Sequence, residues 1–570
     1  MISVVYSPDL EKYSEQIKYT LSFIFDALGF SYEIGDSLSK DNDFPIIIYY
    51  TNQKLELEDI EYFSKGRVFI TVPFDEFLYK TDLIITKQIT QYLHRINIKQ
   101  EIPILSEQEF SNPISIIALQ KNYYAKLNFD IIGNIFFHVS KNEESYSINR
   151  KFDEHKRFLP DESILADFYE VPVVNWLVWL IEQLLLESSD TIELCIPQIK
   201  KWPDDKKFAV LISHDVDRTH KWTFHRFLQF IWFSIGAFFT LHWKYIFNNL
   251  ASLFSYIFTG TEPFGNFDEL LSIEADYDIK ATYNFGTEHK HKLDPDYHIK
   301  DEYIQEIITR LKNAGHEIAL HALYESFNNK RELQLEKTTL GLATKSNITG
   351  LRHHFFRFHL NSSPLIHSQI GFTYDSSYAL QDRMGFRNGV ALPFFPYNSH
   401  IDKRIDIVEL PLAFSDSCLV KSIYENVPFE EAQDKLANLF YNVKNVNGLL
   451  TVLFHQSKFS EELPYDRDLF RNLLDLIDKE RADIFVDTAD KIANWWLKRA
   501  GLSLKDFGSD FIVYHSNEEI DGSTGNIVIN FHKKMLNIDE VIGADFEVNG
   551  NKLYLCNIKN NSDVIIRFGE

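Results

Sequence analysis

The chain has 570 residues and a formal net charge of -24 at pH 7, and 45% of its residues are hydrophobic while 25% are charged. These proportions are typical of a folded globular protein and exclude a largely disordered chain. The length exceeds what one hydrophobic core usually supports, so we expect about two to four domains. No Lys/Arg-rich block offsets the negative charge, which argues against a nucleic-acid partner.

Cysteine usage and the first residues bear on the compartment. The three cysteines, Cys195, Cys418 and Cys556, are far apart and show no C-x-x-C spacing, so the sequence predicts neither a disulfide framework nor a thiolate metal site. A reducing compartment is the usual setting for such a chain. The opening residues, MISVVYSPDLEKYSEQ, lack a basic region followed by an apolar one, and we therefore expect a cytoplasmic protein without a secretory leader.

Residues 1–204 are predicted to form an α/β domain of their own. The apolar run ISVVYS indicates a strand, and the next segment has apolar residues at helical spacing up to Gly29, which stands where a C-cap glycine belongs. FPIIIYYT, RVFITVPF and IIGNIFFHVS are interpreted as further strands. No catalytic group stands out here, and His138 is interpreted as structural. The proline-containing polar stretch KWPDDKK marks the predicted boundary.

Residues 205–502 alternate short apolar runs with helical patterns, which indicates βα units around a parallel sheet or barrel. The predicted strands, in chain order, are FAVLIS, IKATYNF, HEIALH, LLTVLFH and DIFVD. The segment DEYIQEIITRLKNAG predicts an amphipathic helix that begins at Asp301 and ends before Gly315. In folds of this kind the ligand site lies at the carboxyl ends of the strands.

Four ionisable side chains fall at those strand ends. Asp215 and Asp217 follow the first predicted strand. His321 ends the third strand, and His455 ends the fourth. Taken singly, a D-x-D pair or one histidine is more often a solvated loop residue or a hydrogen-bonded bystander. Because the carboxyl ends of parallel strands share one edge, groups on three strands can nevertheless converge in one pocket.

The same segment resembles the polysaccharide deacetylases of the NodB-homology type, in the branch whose first motif reads HDVD. The similarity covers roughly residues 205–500, and its motifs follow one another in the expected order. The stretches that carry it are SHDVD, DYDIKATYNF, GHEIALHALYES, GLRHHFF, GFTYDSSYAL, GFRNGVALPFFPY and VLFHQS.

This resemblance implies a fold and an activity. The fold would be α/β, a deformed (β/α) barrel of the NodB-homology type between an N-terminal α/β domain and a small C-terminal β-rich domain. The activity would be metal-dependent removal of acetyl groups from N-acetylated sugars of a polysaccharide or surface-glycan precursor. Asp215 would be the catalytic base and His455 the general acid. Arg352 would orient the base, while Asp217 and His321 would bind the metal.

One departure from the family pattern concerns the third metal ligand. Glu325 stands four residues after His321, where the family has a second histidine. A carboxylate is an acceptable ligand for zinc and other divalent ions, so the expected ligand set is Asp217, His321 and Glu325. The alternatives are that Glu325 is an ordinary loop carboxylate and that water or His354 completes the shell. Zinc is the expected metal, with cobalt and nickel as alternatives.

Amide hydrolysis explains why these residue types belong together. A divalent cation polarises the acetamide carbonyl and activates a water, a carboxylate takes a proton from that water, and an imidazole protonates the departing amine. The residues predicted to bind the substrate are Tyr374, Asp375, Ser376 and His354. The aromatic residues that could pack against sugar rings, or equally belong to a core, are Phe386, Phe394, Phe395 and Tyr397.

Residues 222–260 form an aromatic-rich insertion shortly after the first catalytic strand. The first half of its segment 227–258 approaches the apolar length of a membrane-spanning helix, but polar residues interrupt it, namely Gln229, Ser234, Thr240 and His242. Two interpretations remain, a helical hairpin buried against the barrel and an aromatic surface that rests on a membrane interface. The second interpretation predicts a peripheral membrane contact and would suit a lipid-linked glycan.

After residue 502 the pattern changes to short strand-like runs, with Asn549-Gly550 between two of them as a hairpin signal. This pattern predicts a small β-rich domain at residues 503–570. Nothing in it decides between sugar binding and bracing of a neighbouring domain.

Three functional hypotheses follow. The leading hypothesis is a hydrolase that deacetylates an acetylated or lipid-linked glycan. The second is a catalytically decayed glycan-binding or scaffolding protein on the same fold. The third is an O-acetyl esterase or a non-sugar amidase that uses the same metal site. The identity of the sugar and the oligomeric state are not predicted.

Overall fold

The structure, a computed structural model, describes most of the chain, and its elements fall into three successive groups. The described residues are 2–35, 37–39, 44–80, 89–92, 101–106, 110, 112–119, 122–146, 152–260, 262–265, 267–422, 425–459, 464–508, 510–532 and 537–569. Among these residues, no helix has the length and apolarity needed to cross a bilayer.

The N-terminal group is built on a six-stranded sheet with the strand order β2-β1-β3-β4-β8-β7, parallel except for the β7–β8 pair. Its strands are β1 (Ile2–Tyr6), β2 (Tyr32–Gly35), β3 (Ile46–Tyr50), β4 (Val68–Val72), β5 (Ile89–Tyr92), β6 (Pro103–Ser106), β7 (Ile114–Leu119) and β8 (Asn122–Leu127). Its helices are α1 (Ser14–Leu28), α2 (Leu57–Ser64), α3 (Ile131–Val139), α4 (Asn142–Tyr146) and α5 (Val173–Thr191). The predicted helix that ends at Gly29 is confirmed, and Gly29 has a left-handed φ of 75°.

One strand prediction in this group is wrong. The run IIGNIFFHVS forms helix α3, and every residue of that helix is buried. An apolar run that is buried on all sides carries neither a period of two nor a period of 3.6, so its pattern could not separate strand from helix. The local signal was the residue before it, because the Asp130 carboxylate accepts a hydrogen bond from the Gly133 amide as an N-cap.

The central group contains one nine-stranded parallel sheet with α-helices between its longer strands. Its strands and those before it are β9 (Pro197–Ile199), β10 (Phe208–Val216), β11 (Thr282–Phe285), β12 (Glu317–Ala322), β13 (Gly350–His353), β14 (Tyr374–Asp375), β15 (Tyr397–Asn398), β16 (Lys403–Arg404), β17 (Val408–Glu409), β18 (Phe414–Ser415), β19 (Val420–Ser422), β20 (Glu425–Asn426), β21 (Leu449–Leu453) and β22 (Ile484–Val486). Its helices are α6 (Phe224–Phe239), α7 (Trp243–Thr259), α8 (Asp268–Asp276), α9 (Glu302–Asn313), α10 (Lys330–Thr344), α11 (Ser363–Ile370), α12 (Phe429–Asn445), α13 (Pro464–Lys479) and α14 (Ala489–Ala500).

The sheet is an open, incomplete barrel. Its order is β17-β14-β13-β12-β11-β10-β21-β18, with β22 also pairing with β10, and within the described chain the terminal strands β17 and β18 do not pair with each other. The five strands predicted from the apolar runs are confirmed as β10, β11, β12, β21 and β22. The carboxyl ends of β10, β12, β13 and β21 therefore lie at one edge.

Strand β10 separates two hydrophobic cores. Ala209 and Leu211 belong to a large core shared with the N-terminal and C-terminal groups, whereas Val210 and Ile212 belong to the core formed with the surrounding helices. Side chains alternate across a strand, so Ser213 and Asp215 continue the face of Ala209 and Leu211. The polar end of this face forms the floor of the candidate site.

Gly350, at the start of β13, faces the Tyr374 ring. A Cβ added at Gly350 would lie 1.8 Å from the ring, so we expect Gly350→Ala to lower the free energy of unfolding by about 1–3 kcal/mol through overpacking. Chemical denaturation would measure the loss. Adding Tyr374→Leu to Gly350→Ala should recover part of it, and a Gly350→Ala protein as stable as the wild type would contradict the expectation.

The C-terminal group forms two four-stranded sheets. Its strands are β23 (Leu502–Phe507), β24 (Phe511–Ser516), β25 (Ile527–Phe531), β26 (Ile538–Ile542), β27 (Asp545–Asn549), β28 (Lys552–Cys556) and β29 (Ser562–Phe568). The hairpin predicted at Asn549-Gly550 is confirmed as β27–β28. The second sheet has the order β27-β28-β25-β9, so it includes a strand that the predicted boundary at residue 204 assigns to the N-terminal domain.

The aromatic insertion is a helical hairpin made of α6 and α7, as the sequence predicts. It is not buried against the barrel, because only Phe230 and Ala237 of α6 and Ser252 of α7 are buried. Of the two interpretations drawn from the sequence, the buried hairpin is therefore wrong.

Candidate metal centre

Three side chains from three strand ends converge at the carboxyl edge of the sheet. Asp217 directly follows β10, His321 lies in β12, and His354 directly follows β13. One ligand atom from each lies within 4.8 Å of the others. Nε2 of His321 is 3.0 Å from Oδ1 of Asp217, and Nε2 of His354 is 3.3 Å from Oδ2 of Asp217.

The atoms in this group are suited to hold a divalent cation. Within the described part of the chain, Oδ1 of Asp217 and Nε2 of His321 are buried and have no hydrogen-bond partner. Nδ1 of His321 donates to the backbone oxygen of Arg352 over 3.1 Å, which leaves Nε2 as the nitrogen with the free lone pair. A histidine held in this way by its second nitrogen is typical of metal ligands. One carboxylate and two imidazoles match the donors that zinc prefers.

Two neighbouring histidines stabilise the ionised form of Asp217. Burial alone would raise the pKa of its carboxyl, but His354 and His321 outweigh burial and hold that pKa well below its ordinary value. Asp217 therefore presents a carboxylate at neutral pH.

Glu325, expected to be the third ligand, lies outside this group. It is exposed on the 3-10 turn Tyr324–Ser326, where its neighbour Ser326 is buried. Arg357 fixes this turn, since its guanidinium donates to the Tyr324 oxygen and stacks 4.1 Å from the centre of the Tyr324 ring. The turn directs Glu325 outward. The third member of the candidate metal group is instead His354, which the sequence analysis assigns to substrate binding and names as an alternative ligand.

Asp215 and Arg352 form a buried ion pair beside the metal group. Arg352 donates from Nη1 to Oδ1 of Asp215 over 2.9 Å, and Asn284 donates to the same oxygen over 2.7 Å. Burial alone would raise the pKa of Asp215, but Arg352 and His321 outweigh it and lower that pKa. Oδ2 of Asp215 faces Nε2 of His321 at 4.0 Å. Asp215 is thus a charged, oriented carboxylate whose Oδ2 points at the metal group.

His455 approaches from the other side of the site. Its Nε2 is 3.5 Å from Oδ2 of Asp217, and its Nδ1 donates to Oδ1 of Asp416 over 2.6 Å. The second oxygen of Asp416 accepts a hydrogen bond from the His455 amide over 2.7 Å. Burial alone would lower the pKa of His455, but Asp416 outweighs it and raises that pKa to about 9. At neutral pH His455 therefore carries a proton.

Asp416 fixes His455 through both of its carboxylate oxygens. For the deacetylation that the sequence resemblance implies, we expect Asp416→Asn to lower kcat about 10- to 100-fold, the usual effect of losing the partner behind a functional histidine, with little change in KM. Steady-state kinetics would measure both constants, and a thermal melt would report on the fold. Asp416→Glu should restore part of kcat, and an unchanged kcat in the asparagine variant would show that His455 does not need this partner.

The residues predicted to bind the substrate after β13 face the interior instead. Tyr374 donates to Oε1 of Glu317 over 2.7 Å, and Asp375 is 2.6 Å from Nδ1 of His367. Ser376 accepts from Nη2 of Arg352 over 2.9 Å. All three are buried, so Ser376 holds the Arg352 guanidinium in place and the other two support the scaffold. The aromatic residues Phe386, Phe394, Phe395 and Tyr397 are also buried and form core.

Two functional neighbours were missed from the sequence. Asn284 is paired with Asp215 in the register of β10 and β11, so the polar residue within the run TYNF was a usable signal. Asp416 follows the two-residue strand β18, and a strand of that length has no periodicity to reveal it.

The backbone after His354 is strained. Phe355 and Phe356 have φ values of 60° and 52°, a region that bulky residues rarely adopt and that often marks functional sites. Arg157 donates to the Phe355 oxygen over 3.1 Å, and His155 packs on the Phe355 ring at 4.5 Å. The segment before α5 therefore packs against the backbone that follows His354.

A protein-family model matches the N-terminal part of the chain. Residues 4–189 match the model of a family of unknown function, DUF7033. No curated protein matches the chain.

Several solved structures are similar to part of this chain, and three of them are described here. A candidate polysaccharide deacetylase from Mycobacterium smegmatis has 17% identity and a TM-score of 0.35, with 52% of this chain and 92% of that chain covered. A mutant of the peptidoglycan deacetylase PdaC from Bacillus subtilis has 11% identity and a TM-score of 0.25, with 51% and 92% covered. A mutant of BA3943, a CE4 family pseudoenzyme, with restored enzymatic activity has 11% identity and a TM-score of 0.25, with 51% and 68% covered. TM-scores of this size decide neither the fold nor the activity.

Proposed function

We propose that the protein is a metal-dependent hydrolase that removes acetyl groups from N-acetylated sugars of a glycan. The observation that carries the proposal is the convergence of three units at one edge of the sheet. These units are the ligand group Asp217–His321–His354, the ion pair Asp215–Arg352 and the pair His455–Asp416. The sequence resemblance to polysaccharide deacetylases supports the same chemistry.

Asp217, His321 and His354 would hold the cation, which we propose to be zinc, with cobalt or nickel as substitutes. A divalent cation bound there supplies a Lewis acid that polarises the acetamide carbonyl and lowers the pKa of a water. Among the described residues, Oδ1 of Asp217 and Nε2 of His321 are buried without a hydrogen-bond partner, which leaves both atoms available to a cation.

Asp215 is proposed to take a proton from the attacking water. Its Oδ1 is occupied by Arg352 and Asn284, so Oδ2 is the oxygen that receives the proton. Arg352 cannot turn away, because its remaining nitrogens donate to Ser376. A fixed carboxylate of this kind is suited to general base catalysis.

His455 is proposed to give the proton that the departing amine needs. Its Nδ1 is bonded to Asp416, so Nε2 is the nitrogen that faces the site. The water oxygen bonds to the acetyl carbon, the C–N bond breaks, and the proton from Nε2 goes to the amine nitrogen. The products are acetate and a free amino sugar. The proton that Asp215 gained then passes through solvent to Nε2 of His455, which restores both residues.

The test is acetate release by the full chain loaded with zinc, cobalt or nickel. N-acetylated chito-oligosaccharides should yield acetate, and removal of the metal with a chelator should stop the reaction. Release from O-acetylated oligosaccharides alone would assign an esterase to this site. Glycan binding without release in any metal form would assign a binding protein on a catalytic scaffold. A lipid-linked glycan and a cytoplasmic location are part of the proposal and are tested with lipid-linked substrates and cell fractionation.

A further inference from the structure

The helical hairpin α6–α7 carries an apolar face that is turned to solvent. On α6 this face consists of Phe224, Leu228, Trp232, Ile235 and Phe239, all of them exposed. Their spacing of three and four residues places them on one side of the helix. On α7 it continues through Phe247, Phe254 and Phe258, which are exposed as well. We call these eight residues the hairpin face.

The exposure of the hairpin face is large for aromatic side chains. Trp232, Phe239 and Phe258 are 73%, 79% and 81% exposed. A contiguous apolar patch of this kind on a folded protein marks an interaction surface. Single exposed apolar residues occur elsewhere in the chain, but the hairpin face repeats them along two neighbouring helices.

Charge identifies what this face contacts. The chain has 82 acidic residues in 570, yet no Asp or Glu occurs from Arg218 to Thr261, where Arg218, Lys221, Arg226 and Lys244 are the charged side chains. The hairpin segment of this acidic protein therefore contributes no carboxylate side chain of its own. Aromatic residues combined with Lys and Arg, and without acids, are the composition of helices that lie in a lipid interface.

We propose that the hairpin face docks on a phospholipid bilayer, with its aromatic side chains at the boundary between headgroups and acyl chains and the exposed residues Arg218 and Lys244 against anionic headgroups. Two copies of a chain with a net charge of -24 would repel each other, which disfavours self-association as the use of this face. Both ends of the hairpin return to the barrel, so the helices lie on the bilayer surface.

The stem of the hairpin adjoins the candidate metal centre. Helix α6 begins seven residues after Asp217. On the returning arm, Phe264 accepts a hydrogen bond from Gln456, the residue after His455, over 3.0 Å. A docked hairpin would therefore hold the mouth of the site close to the lipid, and the meaning of that position for catalysis rests on the proposed function.

The test is co-sedimentation of the full chain with vesicles of phosphatidylcholine alone and of phosphatidylcholine mixed with phosphatidylglycerol. The wild type should pellet with both and more strongly with the mixed vesicles. The triple variant Trp232→Ser/Phe239→Ser/Phe258→Ser should lose at least about tenfold in bound fraction, because each aromatic side chain that moves from water into the lipid contributes strongly to the free energy of binding. Lys244→Glu should weaken binding to the mixed vesicles and leave binding to pure phosphatidylcholine unchanged.

A matched control separates the hairpin face from general apolarity. Leu57, Ile117 and Leu342 are 73%, 56% and 76% exposed and lie on other elements, so replacing all three with serine should leave vesicle binding unchanged. Absence of wild-type protein from the pellet with both vesicles would overturn the proposal. So would light scattering that shows a wild-type dimer and a monomeric triple variant, since a second copy would then cover the face. Acetate release from soluble oligosaccharides should be equal in the wild type and the triple variant, so failure of either proposal is distinguishable from failure of the other.

Discussion

Asp215→Asn should lower kcat by about 10²- to 10⁴-fold, the range that a general base contributes, while the protein keeps its metal. The asparagine has the shape of the aspartate and can still accept a hydrogen bond from Arg352, but it cannot take a proton from water. The metal is retained because its three donors come from Asp217, His321 and His354. Acetate release gives kcat, and elemental analysis of the purified protein gives the metal content.

The matched control for this substitution is Asp217→Asn, two residues further along the chain. It changes a carboxylate in the same site but removes a metal donor, so both turnover and metal content should fall. An Asp215→Asn protein with wild-type kcat would show that another group accepts the proton. A loss of metal from Asp215→Asn would instead place Asp215 among the ligands.

His354→Gln should weaken zinc binding by more than about 100-fold, because even the residues behind metal ligands contribute about 10- to 100-fold. Glu325→Gln should change the affinity by less than about twofold, as expected for an exposed side chain outside the metal group. Isothermal titration of the metal-free proteins with zinc measures both affinities. The contrast is sharp because the two residues are the alternatives that the sequence leaves open for the third ligand.

If Glu325→Gln lost more zinc affinity than His354→Gln, Glu325 and not His354 would be the third ligand. In that case the turn Tyr324–Ser326 would have to open and release its contact with Arg357. Arg357→Ala would then strengthen metal binding by freeing the turn, whereas it should leave affinity unchanged if His354 is the ligand.

The sequence was sufficient where a single physical rule decided the outcome. Strands β10, β11, β12, β21 and β22 could be predicted because each contains a short, mostly apolar run that is buried in a parallel sheet. Asp215 and His455 could be placed in one site because the carboxyl ends of such strands share an edge. The distances between them needed coordinates.

The sequence was insufficient where tertiary contacts set the direction of a side chain. Glu325 and His354 both follow strand ends, but Glu325 lies on a turn held by contacts of Tyr324 with Arg357 and Asp294, where its side chain is exposed. Ser376 follows a strand end too, but the buried guanidinium of Arg352 claims it. Helix α3 was misassigned for a related reason, since complete burial removes the amphipathic pattern from which a helix is recognised.

The pairing of β9 with β25 has a consequence for folding during synthesis of the chain. Strand β9 ends at Ile199 and its partner begins at Ile527, so about 330 residues must be added before the two can meet. At ordinary elongation rates of about 5–20 residues per second this takes roughly 15–65 s. Throughout that interval the nascent chain carries an unsatisfied strand edge, a known template for wrong association. Translation speed over the second half of the message should therefore affect the yield of correctly assembled protein.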